Sequence, residues 1–134
     1  MNILAIGDIF GISGVEHTQM VLKEIIADEN IDFCIANGEN ASGVGISRGS
    51  YNALTDAGVD FFTLGNHTFG KQDIIKLFEN ESNIIRPANY PDGTCGSGSE
   101  VIKHNGVKIY YYNITVIFYL FNFSVAGFKR AIKR

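Results

Sequence analysis

Short, continuous apolar runs alternate along this chain with stretches whose apolar residues recur at helical spacing. Asn2–Ile6 ends in Gly7 and reads as a buried strand that begins almost at the first residue. Asp8–Gly14, with two glycines and a serine, reads as loop. Val15–Glu29 predicts a helix with a ragged apolar stripe of Val15, Met20, Leu22, Ile25 and Ile26. Ile31–Ala36 is a second buried strand, ended by Asn37-Gly38, and a glycine-rich loop follows through Ile46. Ser47 is placed to cap a helix with Tyr51, Leu54 and Val59 as the apolar contacts around it, and Gly58 ends it. Val59–Leu64 is the third buried strand, ended by Gly65-Asn66-His67. Lys71–Glu79 predicts a third helix with Ile74, Ile75 and Phe78 inward, and Ile84-Ile85 starts a short strand. Glu100–His104 and Val107–Asn113 flank Asn105-Gly106, a strong hairpin signal.

Strand, helix, strand, helix, strand, helix is the grammar of a layered α/β fold with a parallel sheet. In such a sheet the carboxyl ends of the strands share one edge, and ligands bind there. Asp8, Glu39, Asn40, Asn66 and His67 follow the three predicted strands and should meet at that edge. A glycine precedes each of these polar groups, which permits an unusual backbone angle at the turn. Carboxylates, amides and one imidazole form a hard donor set, suited to Mg, Mn, Fe or Zn. No thiolate joins it, which argues against a structural zinc site. An Asp or Asn after a strand is also an ordinary turn former or helix cap.

Composition narrows the classes. Of 134 residues, 46% are hydrophobic and 19% charged, enough apolar material for one core. The net charge of −3 hides an asymmetry: Lys129, Arg130, Lys133 and Arg134 supply four of the eleven basic residues. Residues 1–128 thus hold seven bases against fourteen acids, which disfavours stable nucleic-acid binding and suits a cation site. Two cysteines make no disulfide framework; Cys34 reads as a core residue and Cys95 lies in a Gly/Ser loop. The N-terminus lacks a basic region and a cleavage site, and a cytoplasmic location is the expectation. His17 and His104 read as exposed.

Two phosphate-cradle readings compete. Gly7, Gly11 and Gly14 give G-x-x-x-G-x-x-G rather than a dinucleotide fingerprint, and no P-loop Lys follows. Asp8 would also repel a phosphate there. Gly43-Val44-Gly45 is similarly weak.

Four boxes carry a resemblance. Ile6-Gly7-Asp8-Ile9-Phe10-Gly11, Ile35-Ala36-Asn37-Gly38-Glu39-Asn40-Ala41, Thr63-Leu64-Gly65-Asn66-His67-Thr68 and Arg86-Pro87-Ala88-Asn89-Tyr90-Pro91 occur in that order. Together they resemble the calcineurin-like metallophosphoesterases, and within them the YmdB-type bacterial branch, associated with 2′,3′-cyclic-nucleotide phosphodiesterase activity. The resemblance implies a layered α/β sheet flanked by helices and a pair of divalent metal ions. Asp8 would bind the first metal, Glu39 would bridge both, Asn40 and Asn66 would supply amide oxygens, and His67 would act as general acid or orient the phosphate. Two metals neutralise phosphoryl charge and activate a water, and an imidazole exchanges protons near neutral pH. The implied substrate is a small phosphodiester such as a cyclic nucleotide, and homo-oligomerisation is left open. The 86–91 box would shape the cleft or form a rigid proline turn.

The resemblance covers 1–113, expected to be the N-terminal part of the domain. Residues 114–134 read as a divergent hydrophobic and basic tail. The branch's remaining ligands are histidines further along, and no histidine follows His104 here, so the expected fold is incomplete in its C-terminal half and weakly active. Two alternatives follow: a non-catalytic remnant, or a membrane anchor, because Ile109–Phe128 is uncharged and followed by four bases. Asn113, Thr115, Asn122, Ser124 and Gly127 weigh against the anchor.

Overall fold

Each apolar run forms a strand and each periodic stretch a helix in the computed structural model, which describes residues 1–115. The order is β1 (Ile3–Ile6), α1 (Gly11–Asp28), β2 (Phe33–Asn37), α2 (Arg48–Ala57), β3 (Phe61–Thr63), α3 (Asp73–Asn80), β4 (Ile84–Ile85), β5 (Ser99–His104) and β6 (Val107–Tyr112). The first four strands form one parallel sheet in sequence order, and the last two form an antiparallel hairpin.

The twofold alternation of strand side chains assigns the two faces. Cys34, Ala36, Phe62, Leu64 and Ile84 point to the side where Val15, Leu22, Tyr51, Leu54, Ile74 and Leu77 of the helices are buried. Phe33, Phe61 and Ile85 point to the other side and pack against Ile102, Ile109 and Tyr111 of the hairpin. The layered α/β expectation holds: helices cover one face of the parallel sheet, and the hairpin supplies the layer on the other.

Local signals account for the boundaries. Ser47 accepts a hydrogen bond from the Ser50 N–H and caps α2, and Gly58 ends that helix in the left-handed conformation at φ 117°. Asn105 and Gly106 both have positive φ, 48° and 79°, as a two-residue primed turn requires.

Four expectations fail for identifiable reasons. Helix α1 starts at Gly11 rather than Val15, because Gly11 and Gly14 erase the apolar period of its first turn. Strand β1 is half-exposed rather than buried, because it sits at the sheet's edge. Met20 is 78% exposed and Ile75 40% exposed, while Thr18 and Leu77 take inward places. A helical stripe read from hydrophobicity alone includes residues one step off the buried face. His104 is half-buried instead of exposed, its ring edge-on to Phe33 at 5.2 Å between centroids.

Residues 109–112, the start of the stretch considered as an anchor, lie in β6. Residues 113–115 follow that strand without regular secondary structure, and residues 116–134 lie outside the described residues. Among the described residues no helix is long and apolar enough to cross a membrane.

Cys34 is fully buried in β2, and its backbone N–H donates to Asp60 Oδ2 at 2.8 Å. Burial, reinforced by the Asp60 carboxylate, pushes its thiol up from 9.0 to about 11. Between those values the folded chain keeps a proton that the unfolded chain has lost. This contribution to stability is therefore complete below pH 9.0 and disappears as pH rises through about 11. At pH 8 a thiol-titrating disulfide reagent should modify exposed Cys95 at once and Cys34 only after denaturation. Two rapidly reacting thiols in native protein would contradict the assignment.

Candidate functional site

The parallel strands β1, β2 and β3 end side by side, and their loops are stitched by backbone bonds. Ile9 N–H donates to Asn37 O at 3.1 Å, Gly38 N–H to Thr63 O at 3.0 Å and Gly11 N–H to Asn40 O at 2.8 Å. Asp8 follows β1, Glu39 and Asn40 follow β2, and Asn66 and His67 follow β3.

Four of the five expected residues join one hydrogen-bonded chain. Asn40 Nδ2 donates to Asp8 Oδ1 at 2.8 Å, and Asn40 Oδ1 lies 2.6 Å from His67 Nδ1. The His67 backbone N–H donates to Glu39 Oε2 at 2.9 Å. The first bond commits the amide's nitrogen to Asp8, so its oxygen faces the imidazole. An amide oxygen can only accept, so His67 Nδ1 must be the donor. That arrangement leaves Nε2 as the ring atom available to a ligand. Asn66 stands on the same turn as His67 with its side chain exposed.

The glycines act through space rather than through unusual angles. None of Gly7, Gly38 and Gly65 has a positive φ, contrary to the expectation for these turns. A Cβ at Gly65 would overlap the Glu39 carboxylate, and one at Gly38 would meet Ile46 Cδ1 at 3.0 Å. The Gly43–Gly45 loop uses both devices: Gly43 and Gly45 have positive φ, 85° and 80°, while a Cβ at Gly45 would lie 2.7 Å from Lys71 N and one at Gly70 the same distance from Val44 Cγ1. These contacts press the second loop against the third, and Gly45 N–H donates to Glu39 O at 2.7 Å.

Three residues of this edge carry no signal that periodicity detects. Buried Thr68 donates its hydroxyl to Gly65 O at 2.7 Å. Asn113 Nδ2 donates to Leu64 O at 2.6 Å, and the Tyr90 hydroxyl approaches Gly65 O at 3.2 Å and Asn66 O at 3.3 Å. Tyr90 belongs to the 86–91 box, whose Arg86 guanidinium donates to the carbonyls of Cys95, Pro87 and Thr94. The box is thus both a rigid turn and a wall of this edge.

Charge favours a cation here. Among the described residues the ion pairs are the N-terminus with Asp32 at 3.7 Å and Arg48 with Glu81 at 2.6 Å, and neither touches Asp8 or Glu39. Asp8 Oδ2, Glu39 Oε1 and the Asn66 amide also have no hydrogen-bond partner among the described residues. These unused oxygens, with the second lone pair of Asn40 Oδ1, fit a hard divalent ion. Among the described residues no three His, Cys, Asp or Glu side chains close on a common point, so such a site depends on the asparagine amides.

Comparison with known proteins agrees with this architecture. The chain is 36% identical over 115 residues to the 2′,3′-cyclic-nucleotide 2′-phosphodiesterase of Bacillus subtilis, covering 85% of this chain and 44% of that protein. The crystal structure of a hypothetical protein from Thermus thermophilus superposes with a TM-score of 0.79 at 36% identity, over 85% of this chain and 44% of that one. A Mycoplasma pneumoniae structure described as a novel phosphatase gives 0.76 at 30% identity, over 84% and 42%. The chain spans less than half the length of each of these relatives. A profile for the family described as YmdB-like protein matches residues 4–131, and the chain belongs to that family.

Proposed function

We propose that this chain carries part of a dinuclear metal centre that hydrolyses phosphodiesters, with 2′,3′-cyclic nucleotides as the substrate class. The reading rests on one observation above all: the ends of three parallel strands bring Asp8, Asn40 and His67 into direct contact and set the His67 turn on Glu39. The name of the Bacillus subtilis relative supports the substrate class.

In this reading Asp8, Asn40 and Asn66 would donate oxygens to divalent ions, and Glu39 would be the carboxylate shared by two of them. When bound, such ions would supply charge neutralisation on the phosphoryl oxygens and a water of lowered pKa. His67 donates from Nδ1 to Asn40, so a proton for the leaving ribose oxygen would have to come from Nε2 of the imidazolium form, leaving the neutral ring as the Nδ1–H tautomer. The Asn40 amide does two things at once: it steers Asp8 and fixes the His67 tautomer. Water and phosphoryl oxygens of the substrate would complete the coordination of such hard ions.

Purified chain titrated with Mn(II), Mg(II), Fe(II) and Zn(II) should bind at least one of them. Its hydrolysis of 2′,3′-cyclic AMP should be metal-dependent. No metal binding by calorimetry would overturn the site. Hydrolysis that persists undiminished in EDTA would overturn the metal dependence.

A further inference from the structure

We propose that Tyr90 is a positioning residue for the candidate site, holding through its hydroxyl the backbone from which Asn66 and His67 project. The proposal deepens the metal-centre reading above and rests on it for its functional consequence.

Three observations carry it. First, the Asn66 carbonyl receives a hydrogen bond from Tyr90, at 3.3 Å, and from no other group among the described residues. The neighbouring Gly65 carbonyl, by contrast, is also bonded by both the N–H and the hydroxyl of Thr68. One phenolic proton is therefore shared between two successive carbonyls of the turn, and the outer one depends on it. Second, the Asn66 side chain has no protein partner among the described residues, so its backbone decides where its amide points. Third, Tyr90 stands on a braced platform. Ala88 N–H donates to Asn113 O at 2.7 Å, Asn89 Nδ2 to Thr115 O at 2.6 Å, and Thr115 N–H returns a bond to Asn89 Oδ1 at 3.1 Å. The Tyr90 ring also meets Phe69, on the turn itself, edge-on at 5.7 Å.

A hydroxyl that serves a catalytic loop in this way acts through geometry: ligand groups placed an ångström off lose much of their value. Tyr90→Phe keeps the ring and its contact with Phe69 and removes only the shared proton. Tyr112, 71% exposed, supplies the control variant Tyr112→Phe.

The test is nuclear magnetic resonance of the imidazole and Asn side-chain nitrogens, together with Mn(II) titration. In Tyr90→Phe the His67 and Asn66 side-chain signals should move, those of His17 and His104 should stay, and Mn(II) affinity should fall roughly fivefold, as expected for one lost hydrogen bond. Tyr112→Phe should change none of these. Unmoved His67 and Asn66 signals, or shifts spread evenly over all three histidines, would overturn the proposal. If the unmodified chain binds no Mn(II), the metal reading fails, and the resonance pattern alone still decides whether Tyr90 positions the turn.

Discussion

Glu39→Gln is expected to weaken Mn(II) binding by on the order of 100- to 1,000-fold and to abolish metal-dependent hydrolysis, with the fold intact. Glutamine is nearly isosteric, and its amide oxygen can still accept the His67 N–H that Glu39 Oε2 accepts at 2.9 Å. What disappears is a formal charge in a centre with no cationic side chain paired to it among the described residues. Removing one charge from a close, partly desolvated pair costs about 2–5 kcal/mol, which brackets the roughly 2.7–4.1 kcal/mol that the stated range represents. Calorimetry of metal binding on the two proteins, with circular dichroism to verify the fold, measures it. A variant that binds Mn(II) as tightly as the parent would exclude Glu39 from the ligand set. The same variant distinguishes a hydrolase from a non-catalytic remnant, in which position 39 would be indifferent.

Phe61→Ala should cost about 3–5 kcal/mol of stability, a large share of the roughly 5–15 kcal/mol that holds a domain together. Phe61 is fully buried at the start of β3, on the face opposite the helices. Its ring stacks on Tyr111 of the hairpin with 4.1 Å between centroids, and Phe33 stacks on the same tyrosine at 6.1 Å. Deleting it removes apolar burial and leaves a cavity between sheet and hairpin that neither backbone can close. Urea unfolding followed by tyrosine fluorescence should show the loss. A cost below about 1 kcal/mol would mean that the hairpin is not anchored there.

The two variants probe different layers, and those layers differ in how far they could be read in advance. The helical and strand segments followed from periodicity, because burial in a layered fold imposes a period near 3.6 on helices and near-continuous apolarity on central strands. Ser47, Gly58 and Asn105-Gly106 followed from local chemistry, since caps and tight turns are satisfied within a few residues. The exceptions have local causes too. Two glycines concealed the first turn of α1, and edge position exposed β1 without changing its composition.

The candidate residues at positions 8, 39, 40, 66 and 67 were legible because strand ends in a parallel sheet must share an edge. Their mutual hydrogen bonds were not. Nothing in the order of residues says that Asn40 spends its nitrogen on Asp8 and its oxygen on His67, or that Gly65 is required by the Glu39 carboxylate. The hydrogen bonds among these residues join positions 27 to 32 apart, and only packing sets them. The same holds for Tyr90 and Asn113, which reach the β3 turn from 24 and 49 residues away. What the amino-acid order determined by itself was the set of elements and the chemical types waiting at their ends. The tertiary structure decided which face the hairpin covers, which glycines serve close approach, and which side chains hold the site in place. Elements answer to interactions between near neighbours in the chain, whereas a site is made of distances between residues that only the folded sheet brings together.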